Sequence, residues 1–339
     1  MKSSRTSSTH KVNKALVWAV LCGLTALAAV LSLCLGAVPV SLGHTLRALL
    51  GRGEGPQAQI ILYARLPRTC GCLLAGMSLA VSGTVIQAVL SNPMAAPNII
   101  GVNAGAGLMV ALLGAVAPTA AGFIPLAAFL GALVGVMLVL FIAERTGASK
   151  LTLILAGMAV SAIFSAGIDA VVTFVPDALL GYSDFRIGSL ANLTMAKLAP
   201  AFWVILPAFV LVLSLAGELD VLMLGRDVSQ SLGLRVKPMR LLLLALAAAL
   251  AGAAVSFCGL LGFVGLIVPH IMRRLLGEES RTLILGSALG GAAMLTACDL
   301  LGRVLFAPYE LPVGIVLSFV GGPFFIFLLL KQRGGRIHD

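Results

Sequence analysis

Arg65 and Arg68 stand three residues apart at the head of a long apolar stretch. It runs through Gly83 and Gln87 to Asn92-Pro93, Pro97, Gly101 and Gly105. A guanidinium is a rigid fork of donors, so two at a helix head are suited to holding carboxylates. Other side chains with chemistry to offer are few. Asp169 and Asp299 fall near the ends of apolar runs, and neither has a partner at mid-run, which argues against an ion-coupled carrier. Asp299 and Arg303 have the i,i+4 spacing of a helix-end pair. The histidines (His10, His44, His270, His338) are scattered. Pro269-His270 offers either a metal or haem ligand or a helix-end cap with Arg273 and Arg274, and the cap is the preferred reading. Cys70-Gly-Cys72 lacks the companion residues of a zinc site, and the six cysteines read as small apolar residues. The dipeptide Gly-Lys never occurs, so the chain has no phosphate loop and any ATP must be bound elsewhere. No catalytic cluster, resident cofactor or metal is expected.

Two stripes of small residues carry more information. Gly157, Ser161, Ser165 and Asp169 recur at steps of four and share one helix face, as do Gly314, Ser318 and Gly322. Such stripes either let helices approach closely or line a passage for a bulky solute. Residues 218–238 are polar and of mixed charge, and read as two short helices around Gly225 and Gly233. A lipid-binding helix would be dominantly basic, so docking on a partner is favoured.

The elements that position these residues are membrane helices. With 60 % hydrophobic and 11 % charged residues among 339, the chain carries less than half the charge of an ordinary soluble domain, about 25 %. Apolar runs of spanning length recur throughout, which favours helices over barrel strands. Ten spans are expected, near 15–35, 67–89, 96–116, 121–143, 150–171, 198–217, 239–257, 261–276, 282–299 and 312–331. Together they form one polytopic domain over 15–331, with tails 1–14 and 332–339. Placing both termini inside leaves more than twice as many lysines and arginines inside as outside. The net charge of +10 is thus a topology signal, and nothing points to nucleic acid. A weak repeat relates Ala75-Gly76, Gly83, Pro93 and Gly101 to Ala251-Gly252, Gly259, Pro269 and Gly277, starting from opposite faces as two inverted five-helix halves would.

Several motifs then align in order over nearly the whole chain. They are Arg65-Leu-Pro-Arg68; Ser82-Gly83 through Gln87 to Asn92-Pro93-Met94-Ala95-Ala96-Pro97 and Gly101; Gly188-Ser189-Leu190; and Ser231-Leu232-Gly233. Gly262-Phe263-Val264-Gly265-Leu266 through Pro269-His270 to Arg273 follows, then Glu310-Leu311-Pro312-Val313-Gly314 through Gly322-Pro323-Phe324-Phe325. With them the chain resembles the permease subunits of ABC importers for ferric siderophores, haem and vitamin B12. Departures are small: Met94 replaces a usual leucine, Gly322 a common alanine, and Phe185-Arg186 a frequent tryptophan.

The resemblance implies a type II ABC importer permease in the bacterial inner membrane. It would pair as a homodimer or with a close paralogue, beside two cytoplasmic ATPase subunits that use ATP and Mg, and receive an external substrate-binding protein. The chain itself would not be an enzyme. Arg65, Arg68 and Arg303 would accept glutamates from the binding protein. The segment 218–236, with Leu224, Gly225, Ser229, Ser231, Leu232 and Gly233, would seat in the ATPase. Asn92-Pro93 and Thr146-Gly147-Ala148-Ser149 would belong to the inner gate, and the two stripes would line the passage. A ferric siderophore is the first-choice cargo, then haem or cobalamin. A secondary carrier or a membrane enzyme is the remoter reading.

Overall fold

The computed structural model describes residues 14–36, 38–146 and 150–333. Most of both tails, with Gly147 and Ser149 of the expected gate, lies outside the described residues. The elements, in order, are α1 Lys14–Cys34, α2 Leu42–Leu49, α3 Gly55–Gln59, α4 Leu66–Leu90, α5 Val102–Val116, α6 Ile124–Arg145, α7 Lys150–Phe174 and α8 Ala178–Ile187. Then come α9 Met195–Ser214, α10 Ala216–Met223, α11 Arg226–Ser231, α12 Val236–Cys258, α13 Val264–Leu276, α14 Ser280–Val304 and α15 Val313–Arg333. The protein is an all-α bundle, and each of the ten expected spans falls on a helix. Among the described residues, seven helices are long and apolar enough to cross a membrane, with Val102–Val116 and Val313–Leu328 as shorter apolar helices. α13, at 13 residues, covers only about 20 Å at about 1.5 Å per residue. The expectation for 218–238 also meets two short helices, α10 and α11, which turn on Gly225 at φ +99°.

Local chemistry explains where the central helix begins and ends. α3 runs through a π-helical turn, Ile60–Arg65, into α4, giving one 36-residue helix, Gly55–Leu90. Pro67 lies inside this continuous helix directly after the π-helical turn, where the local change of hydrogen-bond pattern accommodates a residue with no N–H. The helix ends as Ser91 turns left-handed at φ +45° and Asn92 Oδ1 accepts the Met94 N–H at 2.9 Å. Pro93 cannot continue it. A short 3₁₀ turn, Pro97–Ile100, then leads into α5, so helix, break, helix is what the chain forms.

α4 and α14 are the buried axis of the bundle. A Cβ on Gly76 would overlap the Gly291 carbonyl, and one on Gly83 would overlap that of Gly265, so glycine alone lets α4 pack this closely on α14 and on the start of α13. Gly252 of α12 packs less tightly on Ala132 of α6, where a Cβ would stand 3.0 Å from the alanine methyl. The second helix of each half therefore leans on the fourth helix of the other. The residue-by-residue repeat, however, does not hold. Pro93 sits in a turn after α4 whereas Pro269 lies inside α13, and Gly101 opens α5 whereas Gly277 closes α13. The two halves share helix order and not a fixed offset. Cys72, Cys258 and Cys298 are buried as expected, but Cys22 is exposed, because α1 buries only Val17, Leu21 and Ser32.

Candidate functional site

The three arginines read from sequence converge at one end of the α4–α14 pair, and the convergence is closed rather than open. Arg65, Arg68 and Arg303 are buried, at 6 %, 7 % and 3 % exposure. Arg68 grips Asp299 through Nε and Nη2, at 3.0 and 2.9 Å, and donates from Nη1 to Glu310 Oε2 at 2.6 Å. Arg303 Nε lies 3.1 Å from Asp299 Oδ2, the i,i+4 contact expected, but as a charge contact with poor hydrogen-bond geometry. Its Nη2 donates to Ser32 Oγ at 2.7 Å and its Nη1 to the Ser32 carbonyl at 3.2 Å. Arg65 donates to the carbonyls of Leu33 and Cys34, capping the C-terminal end of α1, and to that of Val38 in the connection beyond it.

Asp299 is the centre of this cluster, at 1 % exposure. Sequence spacing finds its Arg303 contact and misses Arg68, which is 231 residues away. Ser32 and Glu310 are missed for the same reason, although Glu310 stands inside a motif. Burying such charges costs several kcal/mol per ion and is tolerated when acceptors surround them. Here protein acceptors engage each guanidinium, although Arg303 Nε has a charge contact and no hydrogen bond.

The opposite end of α14 meets the short helices. Asp220 Oδ1 accepts the Ser280 N–H at 2.9 Å, so α10 caps the first turn of α14 from 60 residues away. Ser229 is fully buried and donates to the carbonyls of Val221 and Gly225 at 2.7 and 2.6 Å, fastening α11 to α10. Leu224 and Leu232 are exposed at 59 % and 61 %, with Val228 beside them, and Ser231 and Gly233 also face outward. Near this end Gln87 joins α4 to α13, donating to the Gly265 carbonyl and accepting from Arg273 Nη1 at 3.3 Å. His270 rests against the edge of Phe324. Thr146 caps α6 through the Ile142 carbonyl and is exposed.

The two stripes split by position. Gly157 packs on the Ile99 carbonyl and Gly314 on that of Ile187, both too closely for any side chain. Beyond them Ser161 is half-buried, Ser165 and Asp169 are exposed on α7, and Gly322 has open space where a Cβ would stand. Ser318 is exposed and donates to the Gly314 carbonyl at 2.8 Å. With Arg186, Leu260, Gly262 and Phe319 it lines a cavity of about 390 Å³.

Comparison with known proteins agrees with this architecture. The FecCD transport family model matches residues 24–331. The hemin transport system permease protein HmuU of Yersinia pestis is 39 % identical over 285 residues, covering 82 % of this chain and 85 % of that protein. The Fe(3+) dicitrate permease protein FecD of Escherichia coli is 36 % identical over 311 residues, covering 90 % and 95 %. A solved structure, an inward-facing conformation of a metal-chelate type ABC transporter, superposes with a TM-score of 0.81 at 30 % identity, covering 94 % of this chain and 99 % of that one. This multi-pass, all-helical chain belongs to the FecCD transport family, the permease family its motifs resemble.

Proposed function

We propose that the chain is the membrane permease of an ATP-driven importer that passes a ferric siderophore from an external binding protein to the cytoplasm. The observation that carries this reading is the two-ended α4–α14 pair, with guanidinium groups gathered at one end and exposed short helices fastened to the other. An arginine cluster suits a partner's carboxylates, and an exposed Leu224–Val228–Leu232 patch on helices too short to span suits a protein partner. In this reading the arginine end faces outward, both termini are cytoplasmic, two copies (or a copy and a close paralogue) surround the passage, and two ATPase subunits hydrolyse ATP.

The relatives' names divide between ferric citrate, siderophores and hemin. Arg186 gives the mainly apolar cavity wall one cation for an anionic ferric chelate, which it offers equally to the carboxylates of haem, so uptake decides the cargo. Reconstituted with its ATPase and binding protein, the importer is expected to accumulate iron-55 as a ferric siderophore at least tenfold faster than haem or cobalamin. Preferential uptake of either competitor assigns the cargo to it instead. For the ATPase contact, Leu232→Asp is expected to reduce recovery of the ATPase subunit in pull-down at least tenfold, by placing a charge in an apolar contact. Undiminished recovery would place the contact elsewhere.

A further inference from the structure

The cluster leaves an incoming carboxylate no vacant guanidinium fork. Arg65 is bound by the carbonyls of Leu33 and Cys34 at the end of α1 and by that of Val38 in the connection beyond it, and Arg303 by Ser32 and Asp299. All three nitrogens of Arg68 are engaged, two by Asp299 and one by Glu310. A carboxylate arriving from outside must therefore displace something. Backbone oxygens at a packed helix end cannot rotate away as a side chain can, and Asp299 is 1 % exposed behind the arginines. Glu310 differs from both. Its side chain is 38 % exposed, and it stands in the non-helical connection between α14 and α15.

We propose that Glu310 is an internal stand-in for the partner's carboxylate, seated on Arg68 Nη1 in the undocked permease and displaced when the binding protein docks. The inference rests on the reading of Arg68 as a docking residue and adds the group that docking must move. The exchange replaces one carboxylate by another on the same nitrogen, so Arg68 never becomes a bare buried charge, and the released Glu310 is already half in water. Its release also bears on α15. Leu311, the next residue, donates its N–H to the Gly302 carbonyl at 3.0 Å, and Gly314 donates to the Gly188 carbonyl at 3.2 Å. These bonds seat the first turn of the helix that carries Ser318. Docking at Arg68 thereby reaches the passage wall through a connection of three residues, with Glu310 on Arg68 and Glu310 in water as its two states.

The test uses the complete importer in nanodiscs and its purified substrate-binding protein. Glu310→Gln keeps the shape and weakens the internal competitor, so binding should tighten about fivefold, the scale of one partly exposed ion pair. Docking to the wild type should also raise amide exchange across residues 305–312. Unchanged or weaker binding by Glu310→Gln overturns the proposal. Should that variant fail to assemble, the wild-type exchange decides, and no rise at 305–312 overturns it equally. A third arm replaces the surface glutamates on the binding protein's lobes by glutamine. If wild-type affinity survives that change, the docking reading itself has failed and the stand-in falls with it. If affinity drops while Glu310→Gln binds no tighter, only the stand-in has failed.

Discussion

Asp299→Ala is expected to remove folded permease from the membrane. The change strips the shared carboxylate from Arg68 and Arg303, which are 7 % and 3 % exposed and have no water to fall back on. Breaking a buried pair from one side costs about 3–5 kcal/mol, against a total stability of about 5–15 kcal/mol for a typical fold. The loss lands on the α4–α14 contact, and Gly76 and Gly291 pack tightly there only while the two helices keep their register. Asp299→Asn retains an acceptor and the shape but not the charge, and should fall between the two. Pairing Asp299→Leu with Arg303→Met removes the Arg303 charge but still leaves Arg68 Nε and Nη2 without their acceptor, so it should recover part of the lost yield and not all of it. Membrane-fraction yield and the midpoint of thermal unfolding in detergent measure all three. Wild-type behaviour of Asp299→Ala would mean that the cluster is hydrated and contributes little to the fold.

The sequence carries the helices clearly because their signal is local. Twenty apolar residues in a row, a left-handed stop at Ser91 and a proline at 93 each act within a few positions. The two short helices at Gly225 were legible for the same reason. The cluster was half legible. Three arginines and the Asp299–Arg303 spacing can be seen in one dimension, but the Arg68–Asp299 grip depends on α4 and α14 running antiparallel across a glycine contact, and no periodicity encodes that pairing. An arginine seen only in sequence looks like an open donor. In the folded chain each of these three is already engaged by protein acceptors, which changes the question from what they attract to what they must release. The internal repeat misled in a similar way, since glycines at matching intervals are plentiful in so glycine-rich a chain and need not occupy matching places. The stretch from Arg65 to Gly105 is not alone in joining the two ends. α14 shares that role, and its capping residue, Asp220, sits in a segment whose own pattern gives no hint of it.

Ser318→Trp is expected to lower cargo uptake at least tenfold while ATP hydrolysis still responds to the binding protein. Ser318 faces out of α15 into the cavity beside Arg186 and Gly262, and its hydroxyl turns back onto the Gly314 carbonyl, so the wall is smooth there. An indole at that position projects into the open volume without displacing any packed atom. The neighbouring positions of the stripe predict something different. Any side chain at Gly314 would strike the Ile187 carbonyl, and a bulky residue at half-buried Ser161 would push against the packing around Gly157. Those changes should cost assembly first, and uptake only as a consequence. Yield, ATPase stimulation and uptake measured on Ser318→Trp and Ser161→Trp therefore separate a wall from a seam. Uptake lost at full yield marks a wall, and yield lost in proportion to uptake marks a seam. Undiminished uptake by Ser318→Trp would move the passage off this face of α15. On the proposed reading, small residues at steps of four serve both purposes in one helix, packing where a neighbour's backbone crosses and lining the passage where the crossing has ended.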